Sequence, residues 1–352
     1  MADKPTLILD AWWRRVDELF SPVDRAALDV THVVVWGRDE SIPDEVLGNA
    51  LAEASVLIAA DPRIDTAVLD HAPHLETVIE VSGAFPDTID YAACAERGVE
   101  VLSCAPGFRE SVAEMALGMA ISGARGLVAE HERFRSASEH WLNDNAETDF
   151  SLSGADIGFV GYGSIARETR RLLAPFNATI RAFDPWLPST LAEQDGVELV
   201  ELEALLRSSS CLFVMAAPTR SNRGMIGRAE IAMMPRGAML VLASRAHLVD
   251  FEAVVDAAVT GAIRAAIDVF PNEPLPENHR LRQVENCILS PHRAAAVAGG
   301  RQLIGRMIVD DLQAIMQGRD ERRLQRASLD TINELAGTSD ADSVGSMATE
   351  RQ

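Results

Sequence analysis

Ile157-Gly158-Phe159-Val160-Gly161-Tyr162-Gly163-Ser164-Ile165-Ala166 is the stretch whose reading decides the fold. It opens with a short apolar run, passes through G-x-G, and ends in a helical pattern. Strand, G-x-G-x-x-A and helix in that order make the phosphate-cradling turn of a dinucleotide-binding sheet. Gly161 permits the tight turn, Gly163 lets a pyrophosphate approach the backbone, and Ala166 is small enough for the helix to pack on the strand. Ser164 and Ile165 start the helix, whose free N–H groups and dipole favour an anion. A lone glycine motif is weak evidence, but the context strengthens it. Asp184 ends the next apolar run, Thr179–Phe183, 21 residues after Gly163. A carboxylate there hydrogen-bonds the ribose hydroxyls of NAD and repels the 2′-phosphate of NADP; the plainer alternative is that it merely starts an Asp-Pro turn. NAD is the expected cofactor.

Working outward, apolar runs alternate with helix-period segments, the pattern of parallel α/β architecture. After Gly154 the strands are expected at Ile157–Val160, Thr179–Phe183, Cys211–Met215, Met239–Leu242, Ala265–Asp268 and Cys287–Leu289. Those six match a complete doubly wound nucleotide-binding sheet. Before it, strands are expected at Thr6–Leu9, Val33–Trp36, Val56–Ala59, Thr77–Val81 and Val99–Leu102. A long helix is expected from Ser111 to Glu130, with Ser111 and Glu114 forming a capping box. Another is expected over Gly300–Gln317. From Ser328 the chain soon turns small and polar, which reads as a frayed tail.

Three ionisable residues stand just beyond successive late strands: Arg245, Glu273 and His292. Strand C-termini are where ligands bind in such sheets. Hydride transfer to or from a hydroxy acid needs a base near neutral pKa, a carboxylate to hold it and a cation for the substrate carboxylate. Histidine suits the first role, because its ordinary pKa of about 6.5 lies near working pH. The alternative is three unrelated loop charges. His247, two residues from Arg245, is expected at the border of the site. No His/Asp/Glu spacing suits a metal and no G-x-S-x-G elbow exists, so metal and serine-nucleophile chemistry are disfavoured.

The 352 residues suit two domains, at roughly 100–200 residues each. With 47% apolar and 24% charged residues, the composition is that of a globular chain. A net charge of −21 repels phosphate backbones and anionic headgroups, so neither nucleic acid nor membrane is an expected partner. Cys94, Cys104, Cys211 and Cys287 are scattered, which fits buried thiols in a reducing compartment. The start carries no secretory signal pattern and no apolar stretch reaches the length of a membrane span, so a cytoplasmic location is expected.

With those residues in place, the chain resembles the D-isomer-specific 2-hydroxyacid dehydrogenases from about Leu69 to Gly318. The blocks that carry the resemblance are Gly161–Ala166 with Asp184, Met234-Pro235-Arg236-Gly237-Ala238 through Ala243-Ser244-Arg245, Ile267–Pro274, and Ser290-Pro291-His292. The resemblance implies an NAD-dependent oxidoreductase of the EC 1.1.1 type acting on a small 2-keto or 2-hydroxy acid. It implies that Arg245 binds the substrate carboxylate, His292 is the acid/base and Glu273 its partner. Asp268 would meet the nicotinamide end, and Pro218 and Ala243 would line the cofactor. The loop Val81-Ser82-Gly83-Ala84 would hold the substrate carboxylate through backbone N–H groups. The implied fold is α/β: two doubly wound parallel-sheet domains, a Rossmann cofactor domain (111–312) inserted into a flavodoxin-like substrate domain (1–110 plus 313–330), with 331–352 as a flexible tail. A homodimer is implied. Two other readings share the fold: an NAD(H)-sensing, corepressor-like binding protein, and an enzyme for the oxidation of another small anion such as phosphite. Phe85 departs from the family loop and reads as an apolar wall, or else turns into the core. Arg109 is the nearest cation for a phosphorylated substrate. An unphosphorylated 2-keto acid with a small or apolar side chain is therefore expected.

Overall fold

A computed structural model describes residues 4–12, 15–83, 85–139, 141, 149–219, 221–285, 287–329 and 332. It divides the chain into two units, Met1–Phe108 with Ala295–Gln352, and Arg109–Ala294. The described strands are β1 (Thr6–Asp10), β2 (Val33–Trp36), β3 (Ala54–Ala59), β4 (Thr77–Glu80), β5 (Glu100–Ser103), β6 (Asp156–Val160), β7 (Thr179–Phe183), β8 (Glu198–Leu199), β9 (Cys211–Val214), β10 (Met239–Leu242), β11 (Arg264–Ile267), β12 (Cys287–Leu289) and β13 (Gln325–Arg326).

In the first unit the sheet order is β13-β5-β4-β3-β1-β2. Its five early strands are parallel in the flavodoxin-like order, and β13 adds an antiparallel edge. Both faces are covered, so the strands read as nearly continuous apolar runs. Alternate residues divide between two cores: Leu7, Leu9, Ile58 and Ile79 face one, Ile8, Leu57, Val78 and Val101 the other. The helix Gly300–Met316 covers the first of these cores with Ile304, Met307, Ile308 and Leu312. That burial corrects the expected return at 313: the chain rejoins this unit at Ala295, because the apolar face of that helix belongs to its core.

The second unit holds a wholly parallel sheet, β12-β11-β10-β9-β6-β7-β8. Counted from β6, this is the doubly wound Rossmann order with one further strand. The order reverses between β6 and β9, and the glycine turn leaves β6 at that point. Two expectations fail here for local reasons. The long helix begins at Arg109, running on from a 3-10 turn at Ala105–Phe108, so Ser111 lies inside it and caps nothing. It stops at Ala124, and Gly126 in the left-handed region (φ 59°) starts a separate helix, Leu127–Arg135. Among the described residues no single helix is long and apolar enough to cross a membrane.

Candidate active site

The glycine turn is built as its sequence requires. Gly161 has φ 81°, and a Cβ there would meet the Ala216 backbone at 2.3 Å, so only glycine fits. Around Gly163 nothing lies within 4 Å of a Cβ position, which leaves open space over the start of the helix Ser164–Leu173. No side chain caps that helix, and its first-turn N–H groups, including those of Ser164 and Ile165, have no intrahelical partner. Asp184 stands beside the turn: one carboxylate oxygen accepts from Tyr162 N–H at 2.8 Å, the other from Trp186 N–H at 3.0 Å. The carboxylate is thereby fixed against the glycine loop. An open cradle, a helix N-terminus and an oriented acid fit an adenine dinucleotide.

Arg245 follows β10 directly after Ala243 and Ser244. The Ser244 hydroxyl donates to the Val214 carbonyl at 2.9 Å, tying the ends of β9 and β10 together. Half-buried Arg245 donates from Nη1 to the Ser244 carbonyl at 2.8 Å. Pro218 lies in the loop after β9, and His247 pins that loop: its Nε2 donates to the Thr219 carbonyl at 2.8 Å. His247 is thereby a strut between two loops.

His292 and Glu273 come together although 19 residues separate them. Nδ1 of His292 donates to Oε2 of Glu273 at 2.7 Å, and Oε1 of Glu273 accepts from Phe270 N–H at 2.9 Å. The glutamate side chain is 9% exposed and the imidazole 44%. Burial alone pushes the Glu273 carboxyl up, but the His292 hydrogen bond and charge, the Phe270 N–H and the Arg245 charge together hold it below its ordinary value. The Arg245 charge thus reaches the pair.

Asp268 holds the loop that carries His292. It is 1% exposed, and its carboxylate accepts from the Ser290 hydroxyl and from Arg293 and Ala294 N–H at 2.8 and 3.0 Å. The carboxylate is turned to the Ser290–Ala294 loop. Its carbonyl also accepts from His292 N–H at 2.8 Å. Asp268 positions the histidine loop.

The loop after β4 departs from one expectation and decides between the two readings of Phe85. Ser82 and Gly83 N–H groups, expected to hold a substrate carboxylate, donate to the side chain of Glu80. Ala84 lies outside the described residues. Phe85 is 9% exposed and packs edge-on against Tyr91 in the core, so it forms no wall. Arg109 is paired with Glu110. Glu80 was missed because its strand reads as a plain apolar run; the available signal was a carboxylate at the end of a buried strand, just before Ser-Gly. Among the described residues no group of three His, Cys, Asp or Glu is placed to hold a metal.

Comparison with known proteins agrees with this geometry. The family model for the D-isomer specific 2-hydroxyacid dehydrogenase, NAD binding domain, matches residues 117–294. A glyoxylate reductase of Thermofilum pendens is 31% identical over 281 residues, 78% of this chain and 82% of that protein. A D-3-phosphoglycerate dehydrogenase of Archaeoglobus fulgidus is 27% identical over 276 residues, but the match spans only 52% of its length. The crystal structure of a phosphoglycerate oxidoreductase from Rhizobium etli superposes with a TM-score of 0.84 at 33% identity, covering 94% of this chain and all of that one. The Rossmann unit with its glycine turn, and relatives alike over most of the chain, carry one conclusion: the chain belongs to the D-isomer-specific 2-hydroxyacid dehydrogenases, NAD-dependent oxidoreductases.

Proposed function

We propose that this chain interconverts an unphosphorylated 2-keto acid and its D-2-hydroxy acid, with His292 as acid/base, Glu273 as its partner and Arg245 as the carboxylate-binding cation. The observation that carries the reading is the His292–Glu273 hydrogen bond, 2.7 Å long, with the imidazole half exposed and the carboxylate buried. Gly161, Gly163, Ser164, Ile165 and Asp184 would hold the dinucleotide, with Pro218 and Ala243 beside it. NADH, when bound, supplies the hydride that adds to the keto carbon. His292 works at the oxygen. Its Nδ1 is committed to Glu273, so Nε2, on the opposite edge of the ring, gives the proton to the carbonyl oxygen during reduction and takes it back from the hydroxyl during oxidation. Glu273 fixes the ring and stabilises the imidazolium before transfer. Arg245 offers a fork of N–H donors matched to a carboxylate.

The relatives act on both glyoxylate and phosphoglycerate by name. A phosphate dianion needs cations once it leaves water. Arg109 is already paired with Glu110, and this favours a small unphosphorylated acid. A second copy as partner is supported by Leu127, Phe134 and Trp141 on the second unit, exposed by 59%, 60% and 77%. The test is NADH consumption with glyoxylate, hydroxypyruvate, 2-ketobutyrate and 3-phosphohydroxypyruvate, repeated with NADPH. Turnover of an unphosphorylated acid with NADH preferred supports the reading. A preference for the phosphorylated compound by roughly tenfold in kcat/KM, about 1.4 kcal/mol of transition-state binding, contradicts the substrate class.

A further inference from the structure

Glu273 sits in a loop that is poorly equipped to hold itself. The run Pro271-Asn272-Glu273-Pro274-Leu275-Pro276 is rich in proline, which has no N–H to donate. Between buried Phe270 and buried Leu281 most residues are exposed, so little apolar burial fixes the course of the chain. Upstream, the glutamate is tied at once, because its Oε1 accepts from Phe270 N–H at 2.9 Å. Downstream, among the described residues, the first carbonyls of the loop with a hydrogen-bond donor are those of Leu275 and Pro276. Arg282 serves both: Nη2 donates to the Leu275 carbonyl at 2.6 Å and Nε to the Pro276 carbonyl at 2.9 Å.

Arg282 reaches back from a fixed point. Leu281 beside it has no exposed surface and belongs to the core of the second unit, and its N–H donates to His279 Nδ1 at 3.2 Å. Arg280 pairs with Glu252 and Asp256 on the helix Phe251–Val259, at 2.6 Å each. Those exposed pairs add little energy, so the buried leucine is the anchor. What the loop must deliver is exacting. Oε2 of Glu273 lies 2.7 Å from His292 Nδ1, and a displacement of an ångström would break that bond.

We propose that Arg282 is a positioning residue: by holding the Leu275 and Pro276 carbonyls it fixes the loop that keeps Glu273 against His292. It touches no reacting atom and acts through Glu273. Its consequence for turnover rests on the dehydrogenase reading above; the placement of Glu273 does not.

Arg282→Met keeps most of the stem and removes both donors, at a side chain exposed enough for the fold to tolerate the change. With the preferred 2-keto acid, kcat should fall by about tenfold while the affinity for NADH is unchanged. Arg282→Lys keeps the charge and can still donate to a carbonyl, so it should recover part of that loss. In the Glu273→Gln background the carboxylate that Arg282 serves is gone, and there Arg282→Met should lower kcat by less than about twofold. Equal losses in the two backgrounds overturn the proposal, since a merely structural role is additive. A second readout needs no turnover. In the wild type, burial pushes the Glu273 carboxyl up, but the His292 bond and charge, the Phe270 N–H and the Arg245 charge hold it below its ordinary value. A carbon-13 NMR titration, with the Glu273 signal assigned by its loss in Glu273→Gln, should show that carboxyl rising toward its ordinary value in Arg282→Met. An unmoved titration overturns the proposal whatever the kinetics, so a failed clamp and a failed dehydrogenase assignment are distinguishable.

Discussion

His292 carries a backbone conformation rare outside glycine, with φ 50°. Its own N–H donates to the Asp268 and Ser290 carbonyls, and the Asp268 carboxylate gathers the loop on either side. A non-glycine residue kept in that region costs of order 1–3 kcal/mol and persists where its surroundings over-determine it. The Glu273 bond is one of those surroundings, and it carries a pH signature. The folded carboxyl titrates below its ordinary 4.5, so its contribution to stability is fully present above that value and is lost as pH falls through the lower folded one. The Tm difference between wild type and Glu273→Gln should therefore be largest near neutral pH and shrink on acidification below about pH 4. A difference that stays constant or grows toward acid would show that the carboxylate is not stabilised by its neighbours. The residue types and order of Arg245, Glu273 and His292 were legible in sequence. Which way Asp268 and Glu80 point was not, because a carboxylate's partners depend on where later loops return.

At the scale of elements, the two glycines of the cofactor turn separate fold from binding. Gly161→Ala drives a Cβ into the Ala216 backbone in a left-handed conformation, and should lower stability by at least about 1–2 kcal/mol, read as a fall in Tm, together with loss of NADH binding. Gly163→Ala meets no protein atom within 4 Å, so its Tm should hold while NADH affinity drops by about tenfold or more. Equal effects at both positions would contradict this division of labour. Strands β2, β7, β10 and β12 match their expected bounds, since each is a short run rich in apolar and β-branched residues ended by turn residues. The two-residue strands β8 and β13 were invisible, being too short for any periodicity. The helix expected to reach Glu130 breaks because Gly126 takes a positive φ, which the apolar pattern running past it conceals.

For the whole chain, the C-terminal segment matters more than its composition suggests. Ile332 is 2% exposed and joins the core that holds Leu69 and Tyr91, and its N–H donates to the Ser328 carbonyl at 2.7 Å. A flexible tail starting at 331 is therefore corrected at this residue, while 333–352 lie outside the described residues. Ile332→Ala should cost about 2–4 kcal/mol, seen as a clear fall in Tm. An unchanged Tm would mean that the segment does not dock. Sequence favoured the tail reading because the small, polar run Thr338–Ser346 outweighed Leu329, Ile332 and Leu335, which precede it. The return of the chain at Ala295 was hidden likewise: the helix Gly300–Met316 is amphipathic on its own terms, and only packing says which core it covers.

The acid/base assignment is tested most directly by His292→Ala, comparing hydride transfer with NADH binding in the same preparation. The account predicts kcat with the best 2-keto acid lowered by about 10²–10⁴, while NADH binds with unchanged affinity. Near-normal turnover in the variant would contradict it, because the proton would then come from another group.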